Sequence, residues 1–435
     1  MSCVRIKQLI YYSIDSRHQG LLERSSLARD AAAAAISGNE LQLALAWLEQ
    51  GRSIVWGQIL QLRTQVDDLR LAHPKIAEEL IQITNGLEKD IPFDHYSTGK
   101  DMEPSMRAVQ RRHQLARDWE RTVGQVRQMA GFERFLLPKQ FSELRNAVKD
   151  TPIVVLNASV YGKLQLCSTL SPTSDEHLRI QWCPTGPLAF LPIHAAGIYN
   201  ADGTSSTSLS DIAISSYTPS LTALLNTTRR ITNETSPFKI LAVIQPDAPG
   251  APRLPGTTEE LKMIRKHAPD SSVHALEGQR ATIEDVSSGM EECAWVHLAC
   301  HGIQDTSHPM GSGLLLHNGR LHLSNIIQKR LTHAEFAFLS ACQTATGDQS
   351  RPDEAIHLAA GMLLAGYRGV VATMWSIRDD DAPFVADKFY GRVLKNGQPR
   401  IAKAAEALHF AIQELRRRPG GCKFLSWVPF IYMGV

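Results

Sequence analysis

The chain has 435 residues, 43% of them hydrophobic and 21% charged, enough to bury a full core in each of two or three domains. Its 46 basic and 44 acidic residues leave a net charge of +2, which gives no electrostatic reason to expect nucleic acid or an anionic membrane as partner. The seven cysteines, at 3, 167, 183, 293, 300, 342 and 422, form no CxxC pair, so neither a disulfide framework nor a zinc site is expected.

No run of about 18 apolar residues suggests a membrane span, and the opening stretch lacks the apolar core of a signal peptide. The expectation is a reducing, cytoplasmic setting.

Residues 1–150 read as helical. In "SSLARDAAAAAISGNELQLALAWLEQGRSIVWGQILQLRTQ" an Ala-rich segment is followed by one in which Leu41, Leu45, Leu48, Val55, Ile59 and Leu62 recur at helical spacing. Small residues facing large ones suit a tight helical hairpin with Gly38 near the turn, similar to the last unit of a tetratricopeptide (TPR) array. One such unit cannot bury its own faces, so either further helices pack on it or it ends a longer array. Met106, Val109, Ala116, Trp119, Val123 and Val126 mark a further helix.

The pattern changes near Thr151, where a second domain, 151–435, is expected to begin. "PIVVLNASV" is a branched, apolar strand, and "LRIQWCPTGPLAFLPIHAAG" reads as a strand, a turn and a buried segment. From Phe238 strands and helices alternate. "FKILAVI" precedes a helix whose start is assigned to a capping box of Thr257 and Glu260. "SVHAL" is followed by a helix beginning at Thr282, and "AWVHLAC" ends at His301. A hairpin turning on Asn318-Gly319 and the short helix "LSNIIQKRL" lead to "AEFAFLSAC", which ends at Cys342. "DEAIHLAAGMLLAG" is a helix and "GVVATMW" a strand. Two amphipathic helices follow, one carrying Val385, Phe389 and Val393, the other Ile401, Ala405, Leu408, Ile412 and Leu415, before a last strand in "WVPFIYMGV". This order predicts an α/β fold, a mostly parallel sheet with helices on both faces.

Ligands bind beyond the carboxyl ends of parallel strands, and both His301 and Cys342 end a strand pattern. Consecutive strands are usually neighbours about 4.8 Å apart, which would let an imidazole and a thiol meet. Gly302 leaves its own N–H unshielded, so with the N–H of Cys342 it could form a two-donor oxyanion hole.

The pieces "GPLAFLPIHAAG", "GQRATIEDV", "VHLACHG", "GLLLHNGRLHLSNI", "FLSACQTATGD", "LAAGMLLAGYRGVVATMWSIRDDDA" and "WVPFIYMG" resemble, in order, the CHAT family of caspase/separase-like cysteine peptidase domains associated with TPR repeats. The helical hairpin is similar to the helices that precede such domains. The resemblance implies a caspase-like fold and a thiol endopeptidase. His301 matches the family's catalytic histidine and Cys342 its nucleophile, and no metal or organic cofactor is required. The partners implied are a protein substrate and a regulatory protein bound through the N-terminal helices.

Loops at the same strand ends nominate Asp305, Asp348, Trp375, Ser376 and Asp379, with Asp380 and Asp381, as substrate-pocket residues. An acidic floor would favour Lys or Arg, as in separase-like relatives. The Asp triplet also precedes a helix, where capping would explain it. Cys300, one residue before His301, alternates to the other sheet face, and His297 reads as a satisfied core histidine. The rival readings are a catalytically silent caspase-like scaffold for protein–protein interactions and a non-proteolytic α/β protein binding a nucleotide or another small ligand. The second is weakened by the absence of GxGxxG and of a phosphate loop, since "GSG" at 311–313 precedes a strand.

Overall fold

The computed structural model describes the chain except residues 1–26, 52–65, 67, 90–105, 149–150, 160–161, 170–177, 201–204, 230–237, 306–310, 330, 332, 342–357, 420–422 and 435. The chain forms two compact units, residues 1–24 with 54–139 and residues 25–53 with 140–435.

Helices α1 (Leu27–Ser37) and α2 (Leu41–Gly51) form the expected hairpin. Its left-handed turn residue is Asn39 (φ 61°), next to Gly38. A side chain at Gly51 would meet the Ala28 methyl carbon at 2.1 Å, so glycine lets the two helices approach. The hairpin belongs to the second unit. Ala32, Ala35, Ala44 and Leu48 pack with Ile153, Val155, Cys183, Leu221 and Leu224 in one buried cluster.

In the first unit, helices α3 (Pro74–Lys89) and α4 (Met106–Val126) pack around Leu69, Ala77, Leu80, Val123 and Val126. This is the local consequence of apolar residues repeating on one helix face.

The strands of the second unit are β1 (Ile153–Ser159), β2 (Gly162–Thr169), β3 (Leu178–Pro184), β4 (Gly197–Tyr199), β5 (Ser205–Ser208), β6 (Ala213–Tyr217), β7 (Ile240–Ile244), β8 (Val273–Glu277) and β9 (Trp295–Ala299). They continue with β10 (His301–Ile303), β11 (Gly313–Leu316), β12 (Gly319–His322), β13 (Phe336–Ser340), β14 (Gly369–Thr373), β15 (Leu394–Lys395), β16 (Gln398–Pro399) and β17 (Phe430–Gly434). Among the described residues ten strands make one sheet, in the order β2-β1-β3-β6-β17-β14-β13-β9-β7-β8.

Strands β8, β7, β9, β13 and β14 are parallel to one another, and so are β1, β3, β6 and β17. The two sets run in opposite directions and meet where β14 pairs antiparallel with β17. Strand β2 is an antiparallel edge. Strands β10, β11 and β12 form a separate small sheet.

Helices α5 (Leu221–Arg229), α6 (Gly256–His267), α7 (Ile283–Glu292), α8 (Leu323–Gln328), α9 (Leu358–Ala365), α10 (Asp381–Val393), α11 (Ala404–Arg416) and α12 (Phe424–Trp427) cover the sheet. Alternate strand residues Ile240, Ala242, Ile244, Trp295, Phe336, Phe338 and Val371 share a core with α6, α10 and α11. The opposite face carries α7, whose Gly289 lies against Leu241, and α9, whose Gly361 lies against Leu323 of α8. The α/β class with helices on both faces is as expected.

Three local assignments change. Helix α6 starts at Gly256, after Pro255 at the cap position, and not through a capping box. Thr257 Oγ1 donates to the Leu254 carbonyl at 2.8 Å, and Glu260 points into the core, because a fully buried partner there outweighs an exposed cap. The β11–β12 turn residues are His317 and Asn318, with Gly319 opening β12 opposite Leu316. Ile401 falls in a 3₁₀ turn before α11.

The joint between β6 and β17 has a single register pair, Tyr217 with Met433. A buried histidine reinforces it. His194 Nε2 donates to the Val428 carbonyl at 2.9 Å, so its Nδ1 accepts from the Tyr217 hydroxyl at 2.8 Å. The His194 backbone N–H in turn donates to the same hydroxyl at 3.0 Å. Burial pushes the His194 imidazole down to about 4.

The unfolded chain would bind that proton near the ordinary histidine value, so the contribution is whole above that value and is lost as pH falls toward the folded one. Urea titrations at pH 7 and pH 4.5 check this: His194 alone should remove on the order of 2–3 kcal/mol between them, a loss absent in His194→Gln.

Candidate active site

Strands β9 and β13 are parallel neighbours with Phe336 opposite Trp295 and Ser340 opposite Ala299. His301 and Cys342 each come two residues after that last pair in sequence. Strand β13 ends at Ser340, and the carbonyl of the next residue, Ala341, accepts the buried Thr373 hydroxyl of β14 at 2.8 Å. Cys342 itself and Asp348 lie outside the described residues.

After β9 the chain bends at Cys300, and His301 opens β10 opposite Leu315, with Gly302 opposite Leu314. The His301 ring is half-buried. Its Nε2 lies 2.7 Å from the Pro252 carbonyl oxygen. A carbonyl only accepts, so Nε2 carries the proton, and in the neutral ring Nδ1 keeps its lone pair. That leaves Nδ1 as the basic atom.

Four residues before His301, on β9, His297 is fully buried. Its Nε2 donates to Glu260 of α6 at 3.0 Å, its Nδ1 lies 3.1 Å from the Tyr390 hydroxyl of α10, and its ring stacks on Phe338 at 4.9 Å. Burial holds the Tyr390 phenol well above its usual range, so the hydroxyl stays a donor. His297 is a satisfied core residue, as alternation suggested. Cys300 is wholly buried, as are Cys293, whose thiol burial pushes up to about 11, and Cys183.

The nominated pocket residues separate in the structure. The Asp305 N–H donates to Ser312 Oγ at 3.0 Å, closing its loop. Trp375, two residues past β14, stacks on Phe424 of α12 at 6.4 Å, and its indole N–H is buried without a hydrogen bond among the described residues. Ser376 is exposed.

Asp379 does cap a helix, but not the one that follows it. Its Oδ2 accepts the Gly256 N–H of α6 at 2.7 Å. Asp380 stands at the cap position of α10 and makes no side-chain bond to it. Asp381 is buried at the start of α10, among the residues of that helix that turn toward the sheet. Its Oδ2 makes no hydrogen bond, with Arg378 Nε 4.0 Å away.

Sequence reasoning did not anticipate Glu260, Pro252 or Thr373. Only Glu260 carried a signal, a carboxylate on the apolar face of a helix whose neighbours Leu261 and Ile264 are core. Among the described residues no cluster of His, Cys, Asp and Glu could hold a metal ion, and no helix is long and apolar enough to cross a membrane.

A mostly parallel α/β sheet flanked by helices thus carries His301 just beyond the carboxyl end of its strand β9. The chain belongs to the CHAT domain family, which matches residues 146–435. It is similar in fold to the Arg specific cysteine proteinase gingipain R of Porphyromonas gingivalis, at 11% identity and a TM-score of 0.38, over 59% of this chain and 62% of that one. It is also similar to separase in the Saccharomyces cerevisiae separase–securin complex, at 12% identity and a TM-score of 0.42, over 97% of this chain and 28% of that one. No curated protein sequence matches.

Removing one member of the buried Glu260–His297–Tyr390 hydrogen-bonded set leaves a polar group without its partner. Glu260→Ala should therefore lower unfolding free energy by about 1–3 kcal/mol in urea titration, while Glu260→Gln, which keeps an acceptor oxygen, should cost clearly less.

Proposed function

We propose that this CHAT domain is a cysteine endopeptidase. The observation that carries the reading is the level parallel pairing of β9 and β13, whose next residues in sequence include His301 and Cys342, together with a His301 ring whose free nitrogen is Nδ1. In the proposed reaction Nδ1 takes the Cys342 thiol proton and the thiolate adds to the peptide carbonyl carbon. The N–H groups of Gly302 and Cys342 receive the oxyanion. The imidazolium then protonates the leaving amine as the C–N bond breaks. Water, deprotonated by the same nitrogen, cleaves the thioester, releasing a carboxylic acid and restoring the thiol. The Pro252 carbonyl keeps the ring oriented throughout and stabilises it when charged, much as an orienting group does for other imidazole bases.

We assign the substrate side chain before the scissile bond to Lys or Arg, received by Asp381. A buried carboxylate with an oxygen that makes no hydrogen bond, turned toward the sheet at the start of α10, is a fitting counter-ion for a cation entering beside Trp375. Arg378, 4.0 Å away and largely exposed, is a resident cation that a substrate side chain would displace. Asp305, Asp348 and Ser376 remain candidates for the pocket rim. The helical N-terminal region is proposed to bind a regulatory protein.

The test is cleavage of a denatured-protein library by the whole chain, read by mass spectrometry of new termini. Cuts should follow Lys or Arg and disappear, about 10³-fold or more, in Cys342→Ala and His301→Ala. Asp381→Asn should lower kcat/KM for basic substrates about tenfold to a hundredfold and leave Cys342 alkylation intact. Cleavage indifferent to Cys342 would overturn its assignment as nucleophile, and no cleavage together with no labelling of Cys342 by a peptide electrophile would identify the domain as a silent scaffold.

A further inference from the structure

The Asp379 carboxylate is held on the N-terminus of α6, away from any role as a free acidic group, and the segment it grips leads directly to the histidine. We infer that Asp379 is a positioning residue that sets the orientation of His301 through the segment Pro252–Gly256. This goes beyond the peptidase reading, on which only the kinetic part of its test rests.

The segment is short and stiff. It contains two prolines in five residues, Pro252 and Pro255, each with φ restricted by its ring. Its far end is Gly256, whose N–H is the one bound by Asp379 Oδ2 at 2.7 Å. Its near end is Pro252, whose carbonyl holds His301 Nε2 at 2.7 Å. Between them the Leu254 N–H donates to the Pro246 carbonyl at 2.9 Å, and the Thr257 hydroxyl donates to the Leu254 carbonyl at 2.8 Å. Arg253 is turned outward onto Asp247, with bonds of 2.6 and 3.0 Å.

The grip on Gly256 is also steric. A Cβ there would lie 2.4 Å from the Asp379 carbonyl oxygen and 2.7 Å from its Oδ1, so the loop carrying Asp379 can close only on glycine. The carboxylate sits where helix N–H groups are unpaired and the dipole favours negative charge. Loss of this clamp frees the first turn of α6. The Pro252 carbonyl would then be held from one side alone, by the bonds of Ala251, Arg253 and Leu254 to Ala248, Asp247 and Pro246, and the histidine would lose the fixed acceptor position that selects its Nε2–H tautomer.

The experiment compares wild type, Asp379→Ala and Asp379→Asn in the full chain. Two-bond proton–nitrogen NMR correlations of the His301 ring report the tautomer, independently of any activity. The Nε2–H tautomer should dominate in wild type, mix with Nδ1–H in Asp379→Ala, and be restored in Asp379→Asn, whose amide oxygen still accepts. On a cleaved peptide, Asp379→Ala should lower kcat about tenfold or more with KM unchanged. Gly256→Ala displaces the same carboxylate from the other side and serves where Asp379→Ala does not fold.

An unchanged tautomer in the variants overturns the inference, as does a raised KM for basic substrates at constant kcat, which would place Asp379 on the substrate. A shifted tautomer in a protein that cuts no peptide supports the inference and sinks the peptidase reading alone.

Discussion

The parallel pairing of β9 with β13 is the constraint on which the site depends. Trp295 stands opposite Phe336, His297 opposite Phe338 and Ala299 opposite Ser340, and the odd-numbered β9 residues face the same helices as the even-numbered β13 residues. A slip of one residue would turn Trp295 or Phe336 out of that core, at a cost of about 2–3 kcal/mol for each large side chain exposed. Burial of these rings therefore decides where the backbone beyond Ala299 and Ser340 emerges. The proposed role of His301 takes its footing from hydrophobic packing several residues below it.

Polar groups around this core are used as fasteners. His297, Glu260 and Tyr390 tie β9 to both α6 and α10, the two helices whose N-termini lie next to Asp379 and Asp381. The same logic operates at the other end of the sheet. His194 joins Tyr217 of β6 to Val428 ahead of β17, where the two oppositely running sets of strands share few backbone bonds. On the far edge Glu49 of α2 accepts the Leu221 and Thr222 N–H groups and so caps α5, which makes the hairpin part of the α/β unit. Each fastener carries a desolvation cost that is recovered only when all of its members are present.

Much of the fold was legible in the sequence because it rests on short periods. Alternating strands and helices from Phe238 onward, the Thr282 cap on α7, and the burial of Cys300 and His297 follow from repeats of two or 3.6 residues within one element. The misread features all involve partners distant in the chain. Glu260 matched a capping box locally, yet its partner is 37 residues away. The Asp triplet matched a cap for α10, yet Asp379 serves a helix whose first residue lies 123 positions earlier. The reversed half of the sheet likewise has no local signature, since a strand reads the same in either direction.

By itself, then, the sequence determined the class of fold, the core faces of the strands, the family, and the reactive side chains worth watching. Those depend on side-chain chemistry and periodicity, which are properties of neighbours in the chain. Tertiary structure alone decided that Pro252 fixes the proton on His301 Nε2, that Asp379 is taken by α6, and that Asp381 keeps one buried oxygen without a hydrogen bond. The physical reason is that hydrogen bonds are satisfied by whatever group folding brings within about 3 Å, however far apart the residues stand in sequence.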